Sequence, residues 1–115
     1  MKKRDYRDYI NDIINSINDT VSFTENMTFS DFVKDRKTIN AVIRSIEVIG
    51  EATKNIPIYI KDKYPSVPWK KMAGMRDKMI HEYFGIDIEI LWKTAKEVIP
   101  QLKPLAQKVL RDLYE

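Results

Sequence analysis

The apolar positions of this chain recur at helical spacing along nearly its whole length. Over residues 5–22, Tyr6, Ile10, Ile13, Ile14, Ile17 and Val21 follow i, i+3, i+4, i+7 spacing, which predicts an amphipathic helix. Residues 22–29 read as a polar link, and Thr28-Phe29-Ser30-Asp31 at its end offers capping hydroxyls and a first-turn acid. One long helix is expected over about 30–55, with Phe32, Ile39, Val42, Ile43, Ile46, Ile49, Thr53 and Ile56 as its core stripe. Asn40, Arg44, Glu47 and Glu51 form a second, polar stripe on that helix. Such a row faces water by default. It also suits a polar cleft, where Arg44 and Glu47 would pair as i, i+3 neighbours.

Pro57, Pro65 and Pro68 then punctuate the chain, leaving room for a short helical piece at 58–63. Pro68 suits a first helical position, so a further helix is expected from about Pro68 to Phe84, ended by Gly85. Asp87 is a good N-cap for the last helix, whose seam reads Ile88, Leu91, Ala95, Val98, Leu102, Leu105, Val109. Trp92, Ile99, Ala106 and Leu113 make a second row, and Pro100 and Pro104 are expected to kink or divide the helix. The pattern is that of an all-α antiparallel bundle without repeats. Two apolar rows on the last helix and a polar row on an earlier one exceed what one small core needs, which favours a homodimer.

Composition narrows the chemistry more than the fold. At 115 residues, 43% hydrophobic and 32% charged, the chain is expected to be one domain, 1–115, of ordinary soluble composition. Three glycines argue against an all-β design or a nucleotide-binding glycine loop. The longest clean apolar run is Ile56-Pro57-Ile58-Tyr59-Ile60, too short for a membrane span. Asp5, Asp8, Asn11 and Asp12 interrupt the stretch after the basic start, so no signal peptide is expected and a cytoplasmic location is. The absence of cysteine removes disulfides, thiolate metal sites and cysteine nucleophiles. With a single histidine, multi-histidine metal sites are excluded as well, and neither a metal nor a cofactor is expected. Acid–base work near neutral pH is left to His81, a perturbed carboxylate, a lysine or a tyrosine.

The net charge of +3 is concentrated. Between Lys61 and Glu82, Lys61, Lys63, Lys70, Lys71, Arg76 and Lys78 face only Asp62, Asp77 and Glu82, and the rest of the chain balances. A local basic excess attracts phosphate backbones, although most short charge clusters are simply solvated helix faces. Within this segment stands Arg76-x4-His81-x-Tyr83. Cleaving an RNA phosphodiester without metal needs a group near pKa 6.5 to move protons and a fixed positive fork to hold the phosphorane-like oxygens. His81 and Arg76 are of those types. On an unbroken helix the two lie about 140° apart, so either the helix distorts near His81 or the site combines two protomers. The blander alternatives are a histidine of the core or surface, an Arg76 paired with a nearby carboxylate, and Tyr83 and Phe84 as core aromatics.

Arg76-x4-His81-x-Tyr83 resembles the signature of the HEPN superfamily, small helical proteins that include ribonuclease toxins. Arg44-Ser45-Ile46-Glu47-Val48-Ile49-Gly50-Glu51-Ala52, Tyr64-Pro65-Ser66-Val67-Pro68-Trp69 and Gly74-Met75-Arg76-Asp77-Lys78-Met79-Ile80-His81-Glu82-Tyr83-Phe84 are similar to one branch of it. That branch is the HepT-like proteins, paired with MNT nucleotidyltransferases. The resemblance extends to Asp12-Ile13 and to Phe29, Phe32 and Asp35. It implies a homodimer of four- to five-helix bundles with signature residues of both subunits around a shared cleft. It further implies a metal-independent endoribonuclease of a toxin–antitoxin pair, with Arg76 and His81 catalytic and Arg44, Glu47 and Glu51 near the cleft. Lys70, Lys71 and Lys78 would hold the RNA backbone. The matching tyrosine, Tyr83, is the one that a cognate MNT-type antitoxin AMPylates to silence such toxins. A reading of another class is a non-catalytic nucleotide-binding or accessory subunit of a nucleotidyltransferase, which the intact Arg76 and His81 disfavour.

Overall fold

Four helices in this chain begin where a short polar side chain takes up a free N–H group of the first turn. Asp5 opens α1 (Tyr6–Phe23) in a capping box with Asp8. Thr28 opens α2 (Phe29–Lys34), its Oγ1 accepting from the Asp31 N–H at 3.1 Å while its own N–H donates to the Asp31 carboxylate at 3.0 Å. Asp35 opens α3 (Arg36–Lys54) and Asp87 opens α6 (Ile88–Lys93). Between them lie α4 (Ile58–Lys63) and α5 (Trp69–His81), and after α6 come a π-helical turn (Thr94–Val98) and α7 (Ile99–Leu113). The structure, a computed structural model, describes residues 4–81 and 87–114, with the backbone alone described at Arg76 and over 78–81.

The fold is all-helical among the described residues. Central to it is α3, which packs against α1 and α5, while α7 packs on α1 and α2 bridges α3 to α6. Ile10, Ile13 and Ile17 of α1, Val42, Ile46 and Ile49 of α3, and Ile99 and Val109 of α7 are fully buried. Polar groups trapped in this core bond back along their own helices. The hydroxyls of Thr20, Thr24 and Thr53 donate to the carbonyls of Ser16, Thr20 and Ile49 at 2.9, 2.9 and 2.6 Å. No helix of the described residues is long and apolar enough to cross a membrane.

Two helix boundaries and one seam differ from expectation. The helix expected over 30–55 is broken at Asp35, whose carboxylate takes both the N–H and the hydroxyl of Thr38, at 3.0 and 2.7 Å. That bonding competes with the helical backbone, and Asp35 adopts φ −107°, ψ 84°. Pro68 precedes α5 instead of joining it, its carbonyl accepting the Met72 N–H at 3.0 Å. The last helix is divided before Pro100, as expected, but by a π turn that also shifts its seam. Pro100 has no N–H and crowds the carbonyl four residues back, and the wider turn ends just before it. The extra residue moves the seam, so Ile99 and Ala106 enter the core while Val98 and Leu105 are only half-buried. The expected end of α5 at Phe84 and Gly85 lies outside the described residues.

Candidate functional site

The helix that carries the Arg-x4-His spacing is fastened at its start and near its middle. At the start, the Trp69 indole N–H donates to the Tyr64 carbonyl at 3.0 Å, closing the Tyr64–Trp69 segment into a clip. The Tyr64 hydroxyl donates to Asp112 of α7 at 3.2 Å, and Lys108 holds the same carboxylate at 3.0 Å. The Lys108 ammonium first, and the Tyr64 hydroxyl after it, keep the Asp112 carboxyl below its ordinary value. Trp69, Met72 and Met75 are buried and define the inner face of α5. Farther along, Lys54 Nζ of α3 lies 3.5 Å from Asp77 Oδ1, tying α5 to the C-terminal end of α3. The tie sits one residue from Arg76.

α5 continues without interruption from Trp69 to His81. Position 76 therefore falls about 40° from the middle of the buried stripe, and position 81 about 140° from position 76, on the opposite side. As far as His81 the helix is undistorted, and a distortion after it, toward Gly85, falls on residues outside the described ones. Lys70, Gly74 and position 81 share the outer face within about 40°, with Lys71 and position 78 beside them. The side chains of Arg76, Lys78 and His81, and Tyr83 altogether, lie outside the described residues.

Arg44, Glu47 and Glu51 line one polar groove of about 470 Å³ between α1 and α3. Arg44 Nη1 and Glu47 Oε2 are 3.7 Å apart, the i, i+3 pair expected from their spacing. The far wall comes from the start of α1, where Arg4 Nη2 and Asp12 Oδ2 pair at 2.6 Å and the Arg4 guanidinium lies 4.8 Å from the Tyr9 ring centre. Periodicity did not select Arg4, Tyr9 or Asp12 as site residues. Only Asp12 carried a signal, as part of the Asp12-Ile13 resemblance. Lys54, which holds Asp77, follows Glu51 by less than one turn, so this end of the groove approaches α5.

A second, wider groove of about 930 Å³ runs between α4 and α5, floored by Ile58, Pro65, Val67 and Pro68 and edged by Lys70 and Lys71. Lys61 and Asp62 are its other charged residues. Among the described residues none of the three lysines joins an ion pair. Ile58 is 71% exposed and the adjacent Tyr59 62%, an unusual degree for large apolar side chains. Gly74 completes the surface. A Cβ built on it meets nothing within 4 Å, so the chain's own packing does not demand glycine there. Inside a helix, glycine is less favourable than alanine by about 1 kcal/mol.

The family described as Ribonuclease HepT-like matches residues 13–109 of the chain. A protein of Methanocaldococcus jannaschii named "Putative RNase MJ0125" is 46% identical over 115 residues, covering 100% of this chain and 99% of the relative. "Probable ribonuclease HepT" of Thermococcus cleftensis is 51% identical over 107 residues, covering 93% of this chain and 97% of its own length. No solved structure gives a match.

Proposed function

We propose, from the premise that this chain belongs to the Ribonuclease HepT-like family, that it is a metal-independent endoribonuclease acting as the toxin of a two-component toxin–antitoxin pair. The observation that carries the reading is the family match over residues 13–109 together with an intact Arg76-x4-His81-x-Tyr83. The Methanocaldococcus and Thermococcus relatives both carry ribonuclease names.

In the chemistry proposed, His81 takes the proton of a ribose 2′-hydroxyl or returns one to the departing 5′-oxygen. The 2′-oxygen bonds to phosphorus, the bond to the 5′-oxygen breaks, and the products are a 2′,3′-cyclic phosphate and a 5′-hydroxyl. Arg76 presents its guanidinium fork to the phosphorane oxygens, where charge accumulates in the transition state. The continuous α5, with positions 76 and 81 on different sides, supports a site shared by two subunits, His81 of one chain facing Arg76 of its partner. The Trp69–Tyr64 clip and the buried Trp69, Met72 and Met75 seat α5 against the bundle as the support for such a site. Arg44, Glu47 and Glu51 would border the cleft from α3.

Silencing follows from charge and bulk. An adenylate on Tyr83, two residues from His81, sets a negative phosphate and a nucleoside where the RNA phosphate must enter. A cognate MNT-type nucleotidyltransferase is the partner that would place it. The test is cleavage of mixed RNA in EDTA by wild type and His81→Ala, each confirmed by intact mass to carry no adenylate. Cleavage by wild type that drops by about 10²- to 10⁴-fold in the variant is the expected result. Equal absence of cleavage from both proteins favours the accessory-subunit reading instead.

A further inference from the structure

The groove between α1 and α3 sets three side chains of one helix face in a fixed order of hydrogen-bonding type. Arg44, Glu47 and Glu51 stand on successive turns of α3, within about 60° of one another. The groove therefore presents donors at one end and two acceptors after them. Arg44 Nη1 and Glu47 Oε2, 3.7 Å apart, are too distant for a hydrogen bond, so both groups keep bonding capacity. The Glu51 carboxylate joins no ion pair or hydrogen bond among the described residues, and only its backbone carbonyl accepts the Asn55 amide, at 2.9 Å.

The rest of the groove is shaped for a flat ring. Its floor is short and apolar, made by Val48 and the buried Ala52. The facing wall is layered: the Arg4 guanidinium, held by Asp12 at 2.6 Å, lies 4.8 Å from the Tyr9 ring centre. A volume of about 470 Å³ is in the range of small-ligand pockets.

We propose that this groove reads a single guanine base. The Watson–Crick edge of guanine runs acceptor, donor, donor: Arg44 donates to O6, while N1–H and the 2-amino group donate to Glu47 and Glu51. The ring stacks on the Arg4–Tyr9 wall over Val48 and Ala52. No other base satisfies all three side chains. Uracil ends the row with an acceptor facing Glu51, cytosine turns acceptors toward both carboxylates, and adenine sets its amino donors against Arg44. The pocket rests on the ribonuclease reading only for the strand that delivers the base.

The placement supports a base over other occupants. Among the described residues no three acidic or histidine side chains stand so as to hold a metal ion. A phosphate is disfavoured because Asp12, Glu47 and Glu51 outnumber the two arginines of the groove. The base enters and its phosphate stays outside. At its Asn55 end the groove adjoins Lys54, which reaches Asp77, the neighbour of position 76. A guanosine seated here lies near the phosphate that Arg76 of the same chain would hold. It also leaves the position-81 face of α5 to the second subunit.

The test is base preference in binding. The probes are fluorescein-labelled 2′-O-methyl uridine oligomers, each with one central guanine, adenine, cytosine or hypoxanthine, read by anisotropy. They lack the hydroxyl that cleavage needs. Wild type is expected to prefer guanine by about tenfold or more. Arg44→Ala, Glu47→Ala and Glu51→Ala should each cut that preference to about threefold or less, and alanine suits the helix they stand on. Hypoxanthine lacks the 2-amino group and should bind wild type about fivefold more weakly than guanine, yet bind Glu51→Ala equally well. That cycle ties one group of the ligand to one side chain, which a weakened fold does not produce.

Equal affinity for the guanine, adenine and cytosine oligomers overturns the pocket, as does a guanine preference that survives all three substitutions. So does a hypoxanthine penalty of the same size in Glu51→Ala. GMP that competes as strongly as the guanine oligomer overturns the strand as the source and assigns the pocket to a free nucleotide. If guanine is preferred as expected but wild type leaves unmodified RNA uncut, the pocket stands and the ribonuclease reading falls. If wild type cuts at positions unrelated to guanine, and Glu47→Ala cuts the same positions, the ribonuclease reading stands and the pocket falls.

Discussion

The part of the molecule built on α1, α3 and α7 and the face made by α4 and α5 treat their polar and apolar residues in opposite ways. In the first, four local ion pairs form: Arg4 with Asp12, Arg7 with Asp5, Arg44 with Glu47, Lys108 with Asp112. Ile10, Ile13, Ile17, Ile46, Ile49 and Ile99 there are fully buried, and the buried threonine hydroxyls bond to carbonyls one turn back. On the second, Lys61, Lys70 and Lys71 stand without ion-pair partners among the described residues, Ile58 faces solvent, and Gly74 weakens a helix it does not help to pack. Natural sequences agree across local propensity, patterning and packing except where function asks otherwise. The contrast therefore separates residues that packing requires from residues that it does not.

That division is easiest to break in the core. Ile49→Ala removes a fully buried side chain from the helix at the centre of the bundle and should lower unfolding free energy by about 2–5 kcal/mol, read from the urea midpoint. Ile58→Ala, on the exposed floor of the α4–α5 groove, should change it by less than about 0.5 kcal/mol. Comparable losses at the two sites would erase the distinction.

Caps come next. Asp35→Ala removes the side chain that stops α2 and starts α3 and should cost about 1 kcal/mol in the same assay. Gly74→Ala should move stability the other way, by about 0.5–1 kcal/mol, because the new methyl meets no atom. A destabilised Gly74→Ala would mean that the glycine belongs to the folding half after all.

The smallest effect is on pH. Asp31 is held below its ordinary carboxyl value of 3.8 chiefly by the Thr28 N–H, and Asp35 by the Thr38 hydroxyl and N–H. A carboxyl whose pKa is lower folded than unfolded stabilises the fold above its unfolded value and loses that contribution as pH falls through its folded value. Melting temperature should accordingly hold steady toward pH 5 and decline below about 3.8, less steeply in Asp35→Asn than in wild type. A steeper acid decline in that variant would contradict the assignment.

Much of this architecture was legible from residue spacing. The helix over 58–63, the capping roles of Thr28, Asp31 and Asp87, and the Arg44–Glu47 pair are short-range features, set by side chains within four residues of one another. The candidate chemistry was equally visible, since one histidine and no cysteine leave few alternatives. Periodicity failed where a local rule had a local competitor. At Asp35 an apolar stripe that continues on paper is interrupted by a carboxylate that bonds the Thr38 N–H and hydroxyl. After Ala95 a single extra residue in the π turn exchanges Val98 for Ile99 at the core.

What residue spacing determined alone is a set of helices, the caps at Thr28 and Asp87, and an arginine and a histidine five residues apart. Only the tertiary structure decided that Lys54 of α3 reaches Asp77, that Trp69 folds back on Tyr64 and through it on α7, and that the polar row of α3 faces the start of α1. It also decided that Lys70 and Lys71 edge a groove floored by prolines and aliphatic side chains. The reason is range: caps and i, i+3 pairs are set within one turn, whereas a groove exists only once burial of the isoleucine core has chosen which helices lie side by side.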